Sequence, residues 1–403
     1  MDEAAFRPDP NGLTWAVSAL SEAFDTEALA ALPATLPEGG RGPLEALQVL
    51  APAVLGQSRQ LGDPGFFAHM DPPTPWVSWA AAMWTASQNQ NLLHPDTAPH
   101  ARNIEQQVVD WLAPLFGKSG GHMTPGSTVA NLTAIWAARE AGAESVVASP
   151  DAHLSIKKAA HLLGLNFRTA DDWSNPGDVD SAVAVITAGT TSTGEVEPLS
   201  AAPNARWRHL DAAWAGPLRL SDTHRELLDG IETFDSVSVS AHKWLFQPKE
   251  SAFVLFADHE AAHESISIDG AYLAVPNVGV LGSHGATAVP LLATLLAYGR
   301  TGIADMLDRS MDIARELHEL IEQSDDFVAR SEPHTGVVCW RHTTVSPDQI
   351  KANLDGEVFV STTVVDGDPW LRSVAANPMA DPAMVIEGVR RAAASAPTEP
   401  SGS

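Results

Sequence analysis

The sequence predicts an α/β protein with a mostly parallel central sheet, followed by a smaller α+β domain. Between residues 104 and 256, short β-rich apolar runs alternate with helical patterns. Residues 286–323 then carry a helical periodicity of leucines, and strand-like runs and a final helix follow them. Because apolar runs separated by helices indicate strands covered on both faces, the alternating part predicts a parallel sheet and the later part an appended domain.

The alternating part supplies the elements of the predicted sheet. The predicted strands are residues 145–148, 182–187, 208–212, 236–240 and 252–256. Helical patterns at residues 128–141 and 154–163 flank the first of these strands. In the later part, strands are predicted at residues 336–340 and 357–365, before a helix that ends near residue 394.

The length of 403 residues exceeds one minimal domain and suits a large domain with a smaller one. We predict a helical N-terminal segment at residues 1–65, a large sheet domain at 66–300 and a small α+β domain at 301–395. Residues 396–403 are rich in Pro and Ser, so we expect a disordered tail.

Composition excludes several classes of function. The formal net charge is −26, and such a surface repels phosphate backbones and anionic lipid, so neither nucleic acid nor membrane is an expected partner. The single cysteine, Cys339, lies in an apolar run and is expected in a buried strand. The acidic N-terminus does not have the pattern of a signal peptide, and no apolar stretch reaches membrane-spanning length. We therefore expect a cytoplasmic protein.

A Gly-Ser-Thr turn precedes the helix predicted at residues 128–141. Free N–H groups and the positive end of the helix dipole make such a start an anion site, and the hydroxyls of Ser127 and Thr128 add donors. A Ser or Thr in this position is also an ordinary N-cap. The turn alone therefore leaves phosphate binding and capping both open.

Two further polar residues follow predicted strands. His153 comes after the strand at residues 145–148, where it can stack on a planar ring or cap the next helix. Asp211 stands at the end of the strand at residues 208–212, where α/β sheets bind ligands. A carboxylate there can pair with a pyridinium nitrogen, or it can cap a turn. The small Ala212 and Ala213 favour the ligand, because they leave room for a flat ring.

Lys243 leaves an apolar strand and enters an aromatic segment. Burying an ammonium is costly, and desolvation lowers the pKa of a lysine and makes its amine a nucleophile for carbonyls. The ordered set of helix start, His153, Asp211 and Lys243 fits one ligand that has a phosphate, a pyridine ring and a carbonyl.

These segments resemble those of the group II pyridoxal-5′-phosphate (PLP) dependent decarboxylases, which include aromatic-amino-acid, glutamate and histidine decarboxylases. The resemblance runs from about residue 66 to residue 391. Its strongest segments are HLDAAW at 209–214 and HKWL at 242–245. Supporting segments are PGFF at 64–67, NIE at 103–105, TPGSTVAN at 124–131, DAH at 151–153, GTT at 189–191, WLR at 370–372 and NP at 377–378.

The resemblance implies PLP fold type I, which is aspartate-aminotransferase-like, and a homodimer with shared active sites. It implies a carboxy-lyase that converts an L-amino acid to the amine and CO2. Lys243 would form the Schiff base, Asp211 would pair with the pyridine nitrogen, and His153 would stack on the ring. The other implied cofactor contacts are Ser127, Thr128, Thr190, Ala213, Ser240 and His242. The implied substrate contacts are Phe67, His69 and Arg372, the last facing the substrate carboxylate or stabilising the small domain.

The chain departs from the family in two places. Residues 269–284 are shorter than the mobile loop that brings a proton-donating tyrosine in the decarboxylases, and Tyr272 aligns better with a structural tyrosine. The proton donor is therefore left open among His69, His153 and Tyr272 of a partner subunit. The second departure is Pro125 in the phosphate turn, where a missing N–H calls for a side-chain hydroxyl instead.

Other functions stay open. Transamination, aldehyde-forming decarboxylation, elimination and retro-aldol cleavage use the same cofactor and lysine, because fold does not fix chemistry. Residues 259–263 read HEAAH, the HExxH motif of zinc hydrolases, although a solvated acidic helix is favoured there. A catalytically inactive binding protein is disfavoured by the intact Lys243 and Asp211. Aromatic residues at 66–84 favour an apolar or aromatic substrate or simply core packing, whereas His69 and Asp71 favour a polar substrate.

Overall fold

The computed structural model describes residues 7–24, 35–270, 273 and 276–396. Tyr272 and most of the predicted tail lie outside the described residues. The chain divides into two compact units, Met1–Gln60 and Leu61–Ser403. The first unit contains helices α1 (Pro10–Ser18) and α2 (Pro43–Ala51), and each begins with a proline, whose fixed φ suits a first helical turn. The predicted boundaries at residues 65, 300 and 395 stay predictions.

The second unit contains the central sheet and a second, smaller sheet. Its elements in chain order are α3 (Trp76–Gln88), α4 (Ala101–Leu112), β1 (Gly120–Thr124), α5 (Ser127–Glu140), β2 (Ser145–Ala148), α6 (Leu154–Leu162), β3 (Asn166–Thr169), β4 (Ala182–Thr187), β5 (Trp207–Asp211), β6 (Ser236–Val239), β7 (Ala252–Phe256), α7 (His259–Ser265), β8 (Ser267–Ile268), β9 (Asn277–Val278), α8 (Ala288–Glu322), β10 (Phe327–Ala329), β11 (Val337–His342), α9 (Pro347–Ala352), β12 (Ser361–Val365), β13 (Asp368–Val374) and α10 (Pro382–Ala394).

The central sheet has seven strands in the order β1-β7-β6-β5-β4-β2-β3. Strands β3, β2, β4, β5 and β6 are parallel, and β7 runs antiparallel to both β6 and β1. Strands β4 and β7 are buried along their whole length, as expected for strands covered on both faces. The predicted α/β class and mostly parallel sheet are confirmed, and the five strands predicted for the central sheet differ from the observed ones by at most one residue at an end. The two later predictions are less accurate: the strand predicted at 336–340 is β11 (Val337–His342), and the one predicted at 357–365 begins only at Ser361.

The strand directions bring the carboxyl ends of most strands to one edge of this sheet. Because β7 is antiparallel to both its neighbours, β1 points the same way as the parallel strands. The carboxyl ends of β1, β2, β4, β5 and β6 therefore lie at one edge, where open α/β sheets bind ligands. In the register, Asp211 pairs with Thr187 of β4 and with Ser238 of β6.

The second sheet is antiparallel, with strand order β10-β11-β13-β12, as the predicted α+β character requires. The long helix α8 changes direction at Gly299, whose φ of +62° and ψ of −176° are open to glycine but strained for other residues. Cys339 of β11 is buried, and burial raises the pKa of its thiol to about 11, so it is a core residue and a poor nucleophile. Within the described ranges, no helix has both the length and the apolarity to cross a bilayer.

Candidate functional site

Asp211 is a buried carboxylate held by neutral groups. Its Oδ2 accepts from the side-chain amide of Asn131 at 2.9 Å, and its Oδ1 accepts from the backbone N–H of Ala213 at 3.1 Å. The hydroxyl of Ser238 lies 3.5 Å from Oδ1. None of these partners carries a positive charge, although a buried carboxylate requires compensation. The side chain therefore fits a ligand that brings a protonated nitrogen to this edge of the sheet.

His209, two residues before Asp211, does not supply that charge. Its ring is fully buried, and burial lowers its pKa to about 4, although the neighbouring carboxylate acts in the opposite direction. The ring Nε2 donates to the amide oxygen of Asn131 at 3.0 Å, and Nδ1 faces the hydroxyl of Ser236 at 2.9 Å. At neutral pH the imidazole is uncharged, so the negative charge of Asp211 stays available.

His209 also gives the fold a pH dependence. In the unfolded chain its pKa is near 6.5, so between about pH 6.5 and pH 4 the unfolded state binds a proton that the folded state does not. Its contribution to stability is complete above pH 6.5 and is lost as pH falls through this window, by about 1.4 kcal/mol per pH unit. We expect urea unfolding of His209→Gln to show a shallower loss of stability from pH 6.5 to 4.5 than the wild type, by about one proton. Thr133→Val, which changes a buried side chain that does not titrate, should leave the slope unchanged, and an equal slope for His209→Gln would contradict the assignment.

Lys243 follows β6 at the same edge. Burial lowers the pKa of its amine most strongly, and the nearby Lys249 and Arg372 lower it further. The carboxylates of Asp211 and Asp71 act in the opposite direction. The amine of Lys243 therefore lies within electrostatic range of these four charged side chains. A desolvated amine with a lowered pKa is suited to attack a carbonyl group.

Two tryptophans pack against each other and join the segment that carries Asp211 to the segment that carries Lys243. The rings of Trp214 and Trp244 stack with centroids 3.9 Å apart and planes 29° from parallel. Their indole N–H groups donate to the main-chain oxygens of Thr335 at 2.7 Å and Ala375 at 3.2 Å. Both rings are buried. Because each tryptophan lies within three residues of a catalytic candidate, this stack fixes the spacing of the two motifs.

His153 is the N-cap of α6, so the capping interpretation is the one seen in the fold. Its Nδ1 accepts from the backbone N–H of Ser155 at 3.3 Å and lies 2.8 Å from that residue's hydroxyl. Burial and Lys243 lower its pKa, whereas Asp211 raises it. The imidazole therefore shares the neighbourhood of both catalytic candidates, and ring stacking stays a prediction.

The start of α5 has the features of a phosphate site. Gly126 is the N-cap and provides no side-chain cap, so the first N–H groups of the helix are open to a ligand. Within the described residues, the buried hydroxyl of Ser240 and the buried Nδ1 of His242 have no hydrogen-bond partner. A Cβ on Gly126 would lie 3.6 Å from Cε1 of His242, which places that ring beside the helix start. Ser127 is half-buried and Thr128 is exposed at this point. Buried polar groups without partners call for a ligand, and a phosphate suits this set.

The two remaining predicted cofactor contacts are near this edge. The hydroxyl of Thr190 lies 2.8 Å from that of Thr193 and accepts from the N–H of Glu195 at 3.2 Å, so it stabilises the turn after β4. Ala213 is buried beside Asp211. Contact of either residue with the cofactor ring stays a prediction.

Arg372 is a buried cation held by neutral groups. Its Nε donates to the main-chain oxygen of Thr191 at 2.7 Å, and its Nη1 lies 3.4 Å from the oxygen of Ala68 and 3.5 Å from the hydroxyl of Ser361. Only 7% of the residue is exposed, and burial lowers its pKa. Such a guanidinium is suited to bind an incoming carboxylate.

The structure places the other two predicted substrate residues in different surroundings. Phe67 is fully buried in the hydrophobic core of the second sheet, where it packs with Trp340 and Val358. The side chain of His69 is exposed at the surface. Partial desolvation of its ring lowers its pKa, the carboxylate of Asp71 raises it, and the guanidinium of Arg372 lowers it. The side chain of His69 is thus the more accessible of the two, and the substrate role of both stays a prediction.

The HExxH motif forms α7, a helix of 7 residues. Nδ1 of His259 lies 2.9 Å from the hydroxyl of Ser119, and Nε2 of His263 lies 3.0 Å from Nδ1 of His122. The two imidazoles of the motif are therefore engaged with different neighbours. In the part of the chain that the structure describes, no group of three or more His, Cys, Asp or Glu residues is arranged to hold a metal ion.

Sequence reasoning missed Asn131, Ser155 and Ser238, which connect the predicted residues. Asn131 was visible only as part of the TPGSTVAN segment. Its chemical signal was an amide on the apolar side of a helix, at a position where a leucine or alanine is expected.

Known proteins resemble this chain in sequence and in fold. The family described as "Pyridoxal-dependent decarboxylase conserved domain" matches residues 44–343. Aspartate 1-decarboxylase of Aliivibrio fischeri is 28% identical over 79% of this chain and 71% of its own length. L-2,4-diaminobutyrate decarboxylase of Rhizobium meliloti is 29% identical over 87% of this chain and 81% of its own length. The crystal structure of Oryza sativa TDC with PLP and tryptamine superimposes with a TM-score of 0.81 and 21% identity, covering 95% of each chain.

Proposed function

Because the chain belongs to the pyridoxal-dependent decarboxylase family, and so is a PLP-dependent amino-acid carboxy-lyase, we propose that Lys243, Asp211 and His153 are its catalytic residues. The observation that carries this proposal is the setting of Asp211. Its buried carboxylate accepts from neutral donors alone while it lies close enough to Lys243 and His153 to shift the pKa of both.

Lys243 and Asp211 have separate roles in the proposed reaction. Bound PLP supplies an electron-withdrawing ring that stabilises the negative charge left on the substrate α carbon when CO2 departs. Burial lowers the pKa of the Lys243 amine, which favours its neutral, nucleophilic form, and this amine would hold the cofactor by its carbonyl carbon. Asp211 would keep a proton on the pyridine nitrogen, since a buried anion stabilises a neighbouring cation.

The phosphate would be held at the start of α5. Gly126 leaves the first N–H groups of this helix uncapped, the hydroxyls of Ser127 and Thr128 would add donors, and Ser240 and His242 add polar atoms without partners among the described residues. These groups replace the donor that Pro125 lacks. Thr190 and Ala213 would line the ring, as the resemblance implies.

We assign the proton that replaces the carboxylate on the α carbon to His153. This imidazole lies near enough to Lys243 and Asp211 for both charges to act on it, whereas the charges that act on His69 are Asp71, Arg372 and Lys351. Tyr272 lies outside the described residues. His69 and Phe67 remain predicted contacts of the substrate side chain.

Arg372 is proposed to bind the carboxylate of the substrate. We expect Arg372→Met to raise KM by roughly 10- to 100-fold, because a hydrogen bond to a charged group contributes about 1.5–3 kcal/mol. Arg372→Lys should recover part of the loss, since an ammonium keeps the charge but not the two-pronged geometry. The exposed Arg309 gives a matched control, and steady-state kinetics with thermal melting separates binding from folding. An unchanged KM in a folded Arg372→Met variant would refute the assignment.

The screen that tests the function uses purified protein with PLP. The visible absorption spectrum reports cofactor binding, and CO2 and amine are measured across the L-amino acids, including aspartate, 2,4-diaminobutyrate and the aromatic ones. CO2 and amine in equal amounts would support the proposal. Aldehyde and ammonia with uptake of O2 would assign the aldehyde-forming reaction instead. Turnover without CO2 would overturn decarboxylation in favour of transamination, elimination or retro-aldol cleavage.

A homodimer with shared active sites is proposed for the assembly. Helix α3 supports it, because its exposed residues include Trp76 at 68%, Trp79 at 48% and Trp84 at 63% exposure. Contiguous exposed aromatic side chains mark interaction surfaces. Sedimentation equilibrium should give twice the chain mass of 42.6 kDa, and a monomer that is fully active would contradict shared sites. A cytoplasmic location stays a prediction of the sequence.

A further inference from the structure

The side chain of Asn131 is the centre of a buried hydrogen-bond network. Its Nδ2 donates to Oδ2 of Asp211 and to the hydroxyl oxygen of Ser155, both at 2.9 Å. Its Oδ1 accepts from the hydroxyl of Ser238 at 2.5 Å and from Nε2 of His209 at 3.0 Å. Two donated and two accepted bonds are the full capacity of a primary amide. The residue is completely buried, so water does not compete for these bonds.

The charge of Asp211 determines which way this amide points. If the oxygen and nitrogen of Asn131 were exchanged, the amide oxygen would face the Asp211 carboxylate, and two acceptors would repel each other at 2.9 Å. The observed orientation is therefore the one that the carboxylate selects. It makes the amide nitrogen the donor to both Asp211 and Ser155.

The orientation of Asn131 then determines where the next protons lie. The oxygen of Ser155 accepts from Asn131, so its own proton is free to point at Nδ1 of His153, which lies 2.8 Å away. Nδ1 of His153 also accepts from the backbone N–H of Ser155. A neutral imidazole whose Nδ1 accepts carries its proton on Nε2. The nitrogen of His153 that is not bonded to Ser155 is thus an N–H donor.

We propose that Asn131 is a positioning residue that couples the orientation of the Asp211 carboxylate to the tautomer of His153. This inference rests on the proposed function, in which Asp211 pairs with the ring nitrogen of the cofactor and His153 stacks on the same ring. Asn131 touches neither cofactor nor substrate in this proposal. It acts through Asp211 on one branch and through Ser155 on the other.

One rigid side chain, the amide of Asn131, acts on both the orientation of the Asp211 carboxylate and the tautomer of His153. A carboxylate with one oxygen bound to Asn131 and the other to the N–H of Ala213 cannot rotate without breaking a buried bond, which costs about 1–3 kcal/mol. Through Ser155, the same amide helps to keep Nε2 of His153 a hydrogen-bond donor. A purely structural asparagine would contribute to stability alone, and the two roles are separable by experiment.

The variants follow the branches of the network. Asn131→Asp keeps the shape but replaces the donor with an oxygen that faces Asp211, so two carboxylates share the site and one of them retains a proton. Ser155→Ala removes only the branch to His153. Thr133→Val is the control, because Thr133 is buried on the same helix and its hydroxyl bonds only to the backbone oxygen of Val129 at 2.8 Å.

The first readout is binding of PLP to apo-protein, with the visible absorption of the complex recorded across pH. Asn131→Asp should weaken the affinity at least tenfold and change the pH dependence of the absorption. Ser155→Ala and Thr133→Val should stay within about twofold of the wild type. A folded Asn131→Asp protein with wild-type affinity and absorption would overturn the proposal. If Asn131→Asp does not fold, Asn131→Ser, which is too short to span both partners, should show the same weakening, and wild-type affinity there would overturn it equally.

The second readout is the histidine 15N spectrum of apo-protein, with the His153 signals assigned by their absence in His153→Gln. The wild type and Thr133→Val should show the Nε2–H tautomer of His153. Ser155→Ala and Asn131→Asp should show a weaker preference for it, because only the backbone N–H of residue 155 then donates to Nδ1. A tautomer that is unchanged in both variants would contradict the coupling. Failure of the wild type to bind PLP at all would instead contradict the proposed function, so the two failures are distinguishable.

Discussion

Replacement of Lys243 with alanine is expected to abolish covalent attachment of PLP and almost all activity. In the proposed function, the desolvated amine of Lys243 is the nucleophile that holds the cofactor, and no other group takes that place. Removal of one member of a catalytic unit lowers kcat by roughly 10⁴-fold or more. The measurement is borohydride reduction in the presence of PLP, followed by peptide mass spectrometry and assay of CO2 release.

The control for this experiment is Lys157→Ala, which removes an exposed lysine on α6. The wild type and Lys157→Ala should both carry the reduced cofactor on the peptide that contains Lys243, with similar activity. The Lys243→Ala protein should melt like the apo form of the wild type and carry no adduct. Retention of a stoichiometric adduct on another peptide of Lys243→Ala would refute the assignment.

Replacement of Asp211 with asparagine is expected to preserve cofactor attachment but to reduce kcat strongly. The amide is nearly isosteric with the carboxylate but carries no charge, so the pyridine nitrogen loses the anion that keeps it protonated. Breaking a buried charge pair by removal of one partner costs roughly 3–5 kcal/mol, which corresponds to roughly 10²- to 10⁴-fold in rate. Asp211→Glu keeps the charge and should lose less.

A matched control separates charge from packing in this case. Asp235 accepts from the backbone N–H of Arg208 at 2.7 Å near the amino-terminal end of β6, so Asp235→Asn makes the same chemical change far from the catalytic edge. We expect its kcat to stay within a few-fold of the wild type. The outcome that would sink the role of Asp211 is an Asp211→Asn enzyme that retains wild-type kcat while it binds PLP.

The local sequence around the strand ends indicated several of the candidate site residues. Asp211 is the last residue of β5, and Lys243 and His153 come four and five residues after β6 and β2 end, at the same side of the parallel sheet. Their proximity follows from the parallel direction of these strands together with the strand order, and only the structure gives that order. The HExxH motif shows where a sequence pattern misleads. Its residues fit the zinc-binding pattern, but the ring nitrogens of His259 and His263 face Ser119 and His122 and do not face a common site.

Other features depended on packing between distant segments. Trp214 and Trp244 appear as bulky residues in their motifs, but only the fold shows that they stack on each other. Phe67 lies only two residues before His69, yet only the tertiary structure shows that Phe67 is buried in the core of the second sheet while His69 is exposed. Arg372 has no local sequence signal for its neutral partners, which come from loops far along the chain.

The sequence by itself determined the fold class, the cofactor, and the residues at the ends of the strands, because periodicity and short motifs are properties of neighbouring residues. Only the tertiary structure decided which neutral groups surround Asp211 and which groups contact Nδ1 of His153. Asn131 is 80 residues from Asp211 and 107 residues from Ser238, so the bonds among them exist only after α5 packs on the sheet. Hydrogen bonds require contact within about 3 Å and good alignment, and no pattern along the chain encodes that geometry.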